Sequence, residues 1–213
     1  MPAPLGIGAD ALAERARQNR ALIGMPSQAD ILRTGPALYE AQGLAPQIGS
    51  EFPAIGRFPF TVTTGEGPYF SEFYPPWESH NPIPGQTTIE LQGKGQQLRG
   101  LELKHLLTGE MLHLLGAVDP ATGRPVDPTF RQLKLGFGGM LTPEQSAMDR
   151  RAYSAAGETR PYSDWMDHSR LDAYLRGYIV NQWPRDMYTP EQTSHLEQMN
   201  QYLRGPVQVP AQR

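Results

Sequence analysis

Apolar residues recur at helical spacing over most of this chain, and each helical stretch is closed by a recognisable start or stop. Residues 9 to 23 place Leu12, Ala16 and Leu22 or Ile23 on one side of a helix that Gly24 and Pro26 end. After Gly95 the series Leu98, Leu101, Leu106 or Leu107, Leu112 and Leu115 predicts a helix that Gly116 stops. Asp127 then reads as an N-cap with Pro128 at the first helical position, followed by Phe130, Leu133 and Phe137 on one face. From about Ser163, the positions Leu171, Tyr174, Leu175, Tyr178 and Ile179 form a continuous amphipathic stripe. A last helix, Thr189 to Arg204, turns Leu196, Met199 and Leu203 inward. Two near-identical helix starts, LTPEQ at 141–145 and YTPEQ at 188–192, each combine a Thr cap, a Pro at the first position and a Gln that reaches back to the cap.

Between about 43 and 95 the pattern changes. Pro46, Pro53, Pro59, Pro68, Pro75, Pro76, Pro82 and Pro84 recur too often for helix, and aromatic residues fill the gaps. Two short pieces, 57–64 and 87–91, are rich in β-branched or aromatic residues and predict strands. The expected fold class is α+β and mainly helical: a small β element and a long Pro/Gly-rich irregular arm packed with a helical domain of four or five helices. The expected organisation is an N-terminal helix and linker (1–42), the extended arm (43–95), the helical domain (96–204) and a flexible tail (205–213).

Composition supports an arm that rests on something else. The 21 prolines and 22 glycines are about a fifth of the 213 residues, against an average near 12%, and hydrophobic residues reach only 38%. The net charge of -3, without a long basic run, lacks the electrostatic footprint of a nucleic-acid binder. No apolar run approaches the length of a membrane span. The chain has no cysteine, so thiolate metal sites, disulfides and a Cys nucleophile are excluded.

The candidate chemistry lies in TGEMLHLLG, residues 108–116. A zinc-peptidase helix reads H-E-x-x-H, with two histidines on one face holding the ion and the glutamate acting as general base. Here Glu110 stands where the base belongs and His113 where the second ligand belongs, but Gly109 takes the place of the first histidine. Residues 87–116 thus resemble a degenerate zincin-type metallopeptidase helix, with TTIEL at the position of that family's edge strand. The resemblance implies Glu110 as catalytic base and His113 as metal ligand, with zinc as the alternative to no cofactor. His105 is a poor replacement ligand, since eight residues of helix separate it from His113 by roughly 12 Å. His80, His168 and His195 are isolated in sequence. Asp167 and His168, as neighbours on a helix, point about 100° apart and make a poor dyad. The aromatic residues Phe70, Phe73, Tyr74 and Trp77 read as anchors for a protein partner.

The stretches YFSEFYPPWESHNP, GEMLHLLGAVDP, SRLDAYLRGYI and YTPEQ with its helix together resemble virion-associated proteins of tailed bacteriophages and prophages, over about residues 66–204. That resemblance implies a structural or assembly protein of the virion, made in the host cytoplasm, whose partners are other virion proteins or further copies of itself. No membrane span and no nucleic-acid partner are expected. Two alternatives stand beside it: a zincin-like metal-dependent peptidase, and a binding or inhibitory protein directed at a host protein.

Overall fold

The computed structural model describes residues 36–180 and 184–205. The helix expected at 9–23 and the tail beyond Gly205 lie outside them. The fold is α+β and mainly helical.

The first described element, α1 (Pro36–Glu51), crosses the expected boundary between linker and arm and carries Pro46 inside it. A proline within a helix removes one backbone hydrogen bond and costs about 3 kcal/mol. Here Ala37, Leu38, Ala41 and Ile48 are buried along one side, and that tertiary burial outweighs the local penalty. A single turn, α2 (Pro53–Gly56), follows and buries Ala54 and Ile55.

The two expected strands form as β1 (Phe60–Thr64) and β3 (Thr87–Leu91), paired in parallel. A third strand, β2 (Ser71–Tyr74), falls in what reads from sequence as aromatic arm, and it runs antiparallel to β3. The order is β1-β3-β2, so β3 is central and buries Thr87, Thr88, Ile89 and Leu91, while β1 and β2 are the edges. The proline-rich connection from β2 to β3 is stitched by the buried Asn81. Its side-chain amide donates to the carbonyls of Pro75 (3.1 Å) and Gln86 (2.6 Å), and its oxygen accepts from the Ile83 N–H (2.9 Å). Side-chain bonds of this kind replace the ladder partners that prolines cannot supply.

Residues of this segment share one core with the helices: Ile48, Phe52, Ile55, Val62, Ile89 and Leu91 pack in the same cluster as Leu107, Met111 and Phe130. A second tie is made by the buried Asp127, which accepts from both Arg57 and the Tyr202 hydroxyl while capping the Phe130 N–H.

Helix α3 (Gly100–Gly116) buries Leu103, Leu107, Met111, Leu112, Leu114 and Leu115. Leu101 is 65% exposed, because the inward face starts at Leu103. A short hairpin of two-residue strands, β4 (Val118–Asp119) and β5 (Arg124–Pro125), leads to α4 (Pro128–Gly138), which Asp127 caps as its sequence predicts. Helix α5 (Pro143–Ala155) starts at the first capping box. The stripe from Ser163 is one helical rod from Tyr162 to Ile179, made of α6 (Tyr162–Trp165), a π-helical stretch (Met166–Leu171) and α7 (Asp172–Ile179). Helix α8 (Pro190–Arg204) buries Leu196, Met199 and Leu203 and starts at the second capping box.

Candidate functional site

The GExxH sequence forms part of one wall of a cavity of about 350 Å³. Glu110 and His113 of α3 face it, with Phe73 of β2 on one side and His168, Asp172 and Arg176 of the π-helical stretch and α7 on the other. Glu110 and His113, the two candidates read from sequence, thus line one cavity, together with residues that the sequence did not single out.

The π-helical stretch shapes this wall. Five α-helical steps would set Asp167 and Asp172 about 140° apart around the axis. The i→i+5 geometry of a π turn instead brings both carboxylates to the same side. They converge on Lys134 of α4, whose side chain is only 1% exposed: its Nζ lies 2.7 Å from Asp172 Oδ1 and 3.4 Å from Asp167 Oδ1. Both are ion pairs by distance, without the alignment of a hydrogen bond. Arg131, one turn earlier on α4, donates to Asp167 Oδ2 (2.5 Å) and to the Gly116 carbonyl (2.7 Å). Two cations thus face two carboxylates, which is the condition for keeping a lysine in the interior. Burial pushes the Asp167 carboxyl upward, but the charges of Lys134 and Arg131 prevail and hold it below the usual carboxylate range. Gly116 belongs to the same arrangement, since a Cβ there would sit 2.8 Å from Lys134 Nζ.

The second oxygen of Asp172 is 2.6 Å from His113 Nδ1. A carboxylate beside Lys134 can only accept, so His113 Nδ1 is the donor in this contact and Nε2 is left without a protein partner among the described residues. Phe73 meets the His113 ring edge-on at 5.6 Å between centroids, and His168 lies at 5.6 Å on another side. Partial burial, reinforced by the positive charge of Lys134 and the nearby His113, lowers the His168 pKa, although Asp167 opposes the shift and the ring keeps more than a third of its surface in water. Glu110 accepts from the Ser71 hydroxyl of β2 at 2.7 Å.

Gly109 explains the interrupted signature. A Cβ at this position would lie 2.5 Å from Cδ and 3.3 Å from a terminal nitrogen of Arg176, so the arginine occupies the space where a first histidine ligand would stand. Among the described residues no group of three or more His, Asp or Glu side chains stands in an arrangement able to hold a metal ion. His105 is on α3 outside the cavity, where burial and Lys104 lower its pKa; His195 is engaged with the Leu133 carbonyl at 2.7 Å, and His80 is exposed. The residues present do not fit the zinc site that the resemblance implies.

The four aromatic anchors divide. Phe73 and Trp77 pack against the core, Tyr74 is half-buried, and Phe70 is 47% exposed next to Tyr69 at 67%. Burial and Glu72 push the Tyr74 hydroxyl up to about 12.

The signal that could have revealed the opposite wall is a polar pair inside an apolar stripe. Asp172 and Arg176 are spaced i, i+4 within the run that carries Leu171, Tyr174 and Leu175, and so share a face. Asp167 and His168, adjacent in sequence, go to different partners, as their angular separation requires.

Comparison of the chain with protein-family models, with curated proteins and with solved structures returns no match. No helix among the described residues is long and apolar enough to cross a membrane.

Proposed function

We propose that the chain is a virion-associated assembly protein of a tailed bacteriophage, made in the host cytoplasm, that docks on neighbouring protein subunits through the β2 edge of its small sheet. The observation that carries this reading is the exposed pair Tyr69 and Phe70, 67% and 47% accessible, placed immediately before an edge strand. Edge strands present unpaired backbone groups, and aromatic side chains are enriched at the centres of protein interfaces. Lys94 stands 5.9 Å above the Phe70 ring and gives the patch a charged rim. Phe73 and Trp77 support the patch from within rather than touching the partner. The resemblance over residues 66–204 supplies the virion context.

The GExxH helix serves in this reading as framework. Position 109 is filled by Arg176, Glu110 is held by Ser71 and His113 by Asp172, so each remnant of the signature ties α3 to a neighbour.

Mass spectrometry of particles from the phage or induced prophage that encodes the chain tests the proposal. The expected result is the intact chain in the particle, with a Tyr69→Ser/Phe70→Ser variant folded but left out. Particles without the chain, or a variant incorporated as well as wild type, would defeat the assembly reading. Capture of a host protein by the free chain, with no particle association, would favour the host-directed alternative.

A further inference from the structure

The cavity between β2, α3 and α7 has a charge pattern that the assembly role does not use. Arg176 lines it, and among the described residues its guanidinium makes no hydrogen bond or ion pair. Glu110 lines it as well and spends one oxygen on the Ser71 hydroxyl, which leaves further acceptor capacity on its carboxylate. Asp172 lines the cavity too, but its charge is met by the buried Lys134, and behind the wall Arg131 and Lys134 face Asp167. Among the described residues, the charged side chains left without an ion-pair partner at the cavity are therefore one guanidinium and one carboxylate, with His113 and His168 beside them. Phe73 adds an apolar surface, and the His113 ring, held by Asp172 through Nδ1, lies beside it.

A simple anion would gain Arg176 and meet Glu110 as a repulsive neighbour. A simple cation meets the reverse. A small molecule that carries both charges satisfies both walls at once, because charge-assisted hydrogen bonds form at each end. The volume of about 350 Å³ is at the lower end of the range for small-molecule sites, the size of an amino acid rather than of a nucleotide.

We propose that this cavity binds a free α-amino acid with an apolar side chain, its carboxylate on Arg176, its ammonium on Glu110 and its side chain against Phe73. The guanidinium fork suits a carboxylate, and its resting place over Gly109 is possible only because that residue has no side chain. This site is independent of docking at Tyr69 and Phe70, and either can fail without the other.

Isothermal titration of the full chain at neutral pH tests it with leucine, leucinamide, N-acetylleucine and inorganic phosphate. Leucine is expected to bind, with the amide and the N-acetyl compound each weaker by about tenfold or more, because each loses one charged contact. Arg176→Gln should remove the preference for leucine over its amide, and Glu110→Gln the preference over N-acetylleucine. Thermal melts of both variants establish that they are folded, and a variant that does not fold is replaced by Arg176→Lys or Glu110→Asp, which should weaken leucine without abolishing it. No heat with any compound, phosphate binding as tightly as leucine, or leucine affinity unchanged in Arg176→Gln would overturn the proposal.

Discussion

The side chains of Gln145 and Gln192 hydrogen-bond each other in both directions. Gln192 Nε2 donates to Gln145 Oε1 at 2.7 Å, and Gln145 Nε2 donates to Gln192 Oε1 at 3.2 Å. Each glutamine also closes its own capping box, accepting from Thr142 N (2.9 Å) and from Thr189 N (3.0 Å). The repeated TPEQ string is thus a junction between the starts of α5 and α8. Gln192 is fully buried and donates further to the Met140 carbonyl at 2.9 Å.

Gln192→Met keeps the volume but strands the Met140 carbonyl and the Thr189 N–H and takes one partner from the Gln145 amide, which keeps the Met187 carbonyl. A loss of about 2 to 4 kcal/mol in urea unfolding is expected, since each unsatisfied buried group costs about 1 to 3 kcal/mol. Gln145→Met should cost less, its site being more exposed. Equal losses would contradict the asymmetry of burial.

Gly109→His restores the peptidase signature and collides with Arg176. Because the obstacle is a flexible side chain, the expected cost is about 1 to 3 kcal/mol rather than unfolding. Combining Gly109→Ala with Arg176→Ala should cost less than the sum of the two single changes. Additivity in that double-mutant cycle would show that the two positions do not compete for space.

Lys134→Met removes the buried cation between Asp167 and Asp172. Leaving carboxylates uncompensated in the interior costs about 3 to 5 kcal/mol. Lys134→Met with Asp172→Asn should recover part of that loss, measured as the urea midpoint of each variant.

Acid stability follows from Asp167. Its folded-state pKa lies below the value of about 3.9 in an unfolded chain, so the unfolded state binds the proton first and stability rises with pH through that window. The contribution is present above about pH 4 and is lost as pH falls through the lower folded value. Asp167→Asn should therefore flatten the pH dependence of the unfolding midpoint below pH ~4, whatever its effect at neutrality. An unchanged slope would refute the ion-pair assignment.

Alkaline titration reads the other helical junction. Burial, with Tyr174 and Tyr178 nearby, pushes the Tyr188 hydroxyl up to about 12, and it donates to the Tyr174 carbonyl at 3.0 Å. The neutral phenol is favoured by folding, so its contribution is present below about pH 10 and lost as pH rises through the folded value. Comparison of phenolate absorbance in wild type and Tyr188→Phe should show one of the two latest-ionising tyrosines, Tyr74 and Tyr188, missing from the variant.

The sequence by itself determined the elements whose signals are local. Asp127, Thr142 and Thr189 cap the helices they were expected to cap, because a side chain bonding the backbone three residues on depends on nothing distant. The stripe Leu196, Met199, Leu203 was legible from its helical period, and the central strand Thr87–Leu91 from its β-branched residues, both of which are local signals. Only the tertiary structure decided the rest. Pro46 stays within a helix because Ile48 and Ala41 find a core, Ser71–Tyr74 becomes a strand because β3 is there to pair with it, and the space above Gly109 in the GExxH stretch goes to Arg176, 67 positions away. Each of these depends on a contact between residues far apart in the chain, and no local period or cap carries that information.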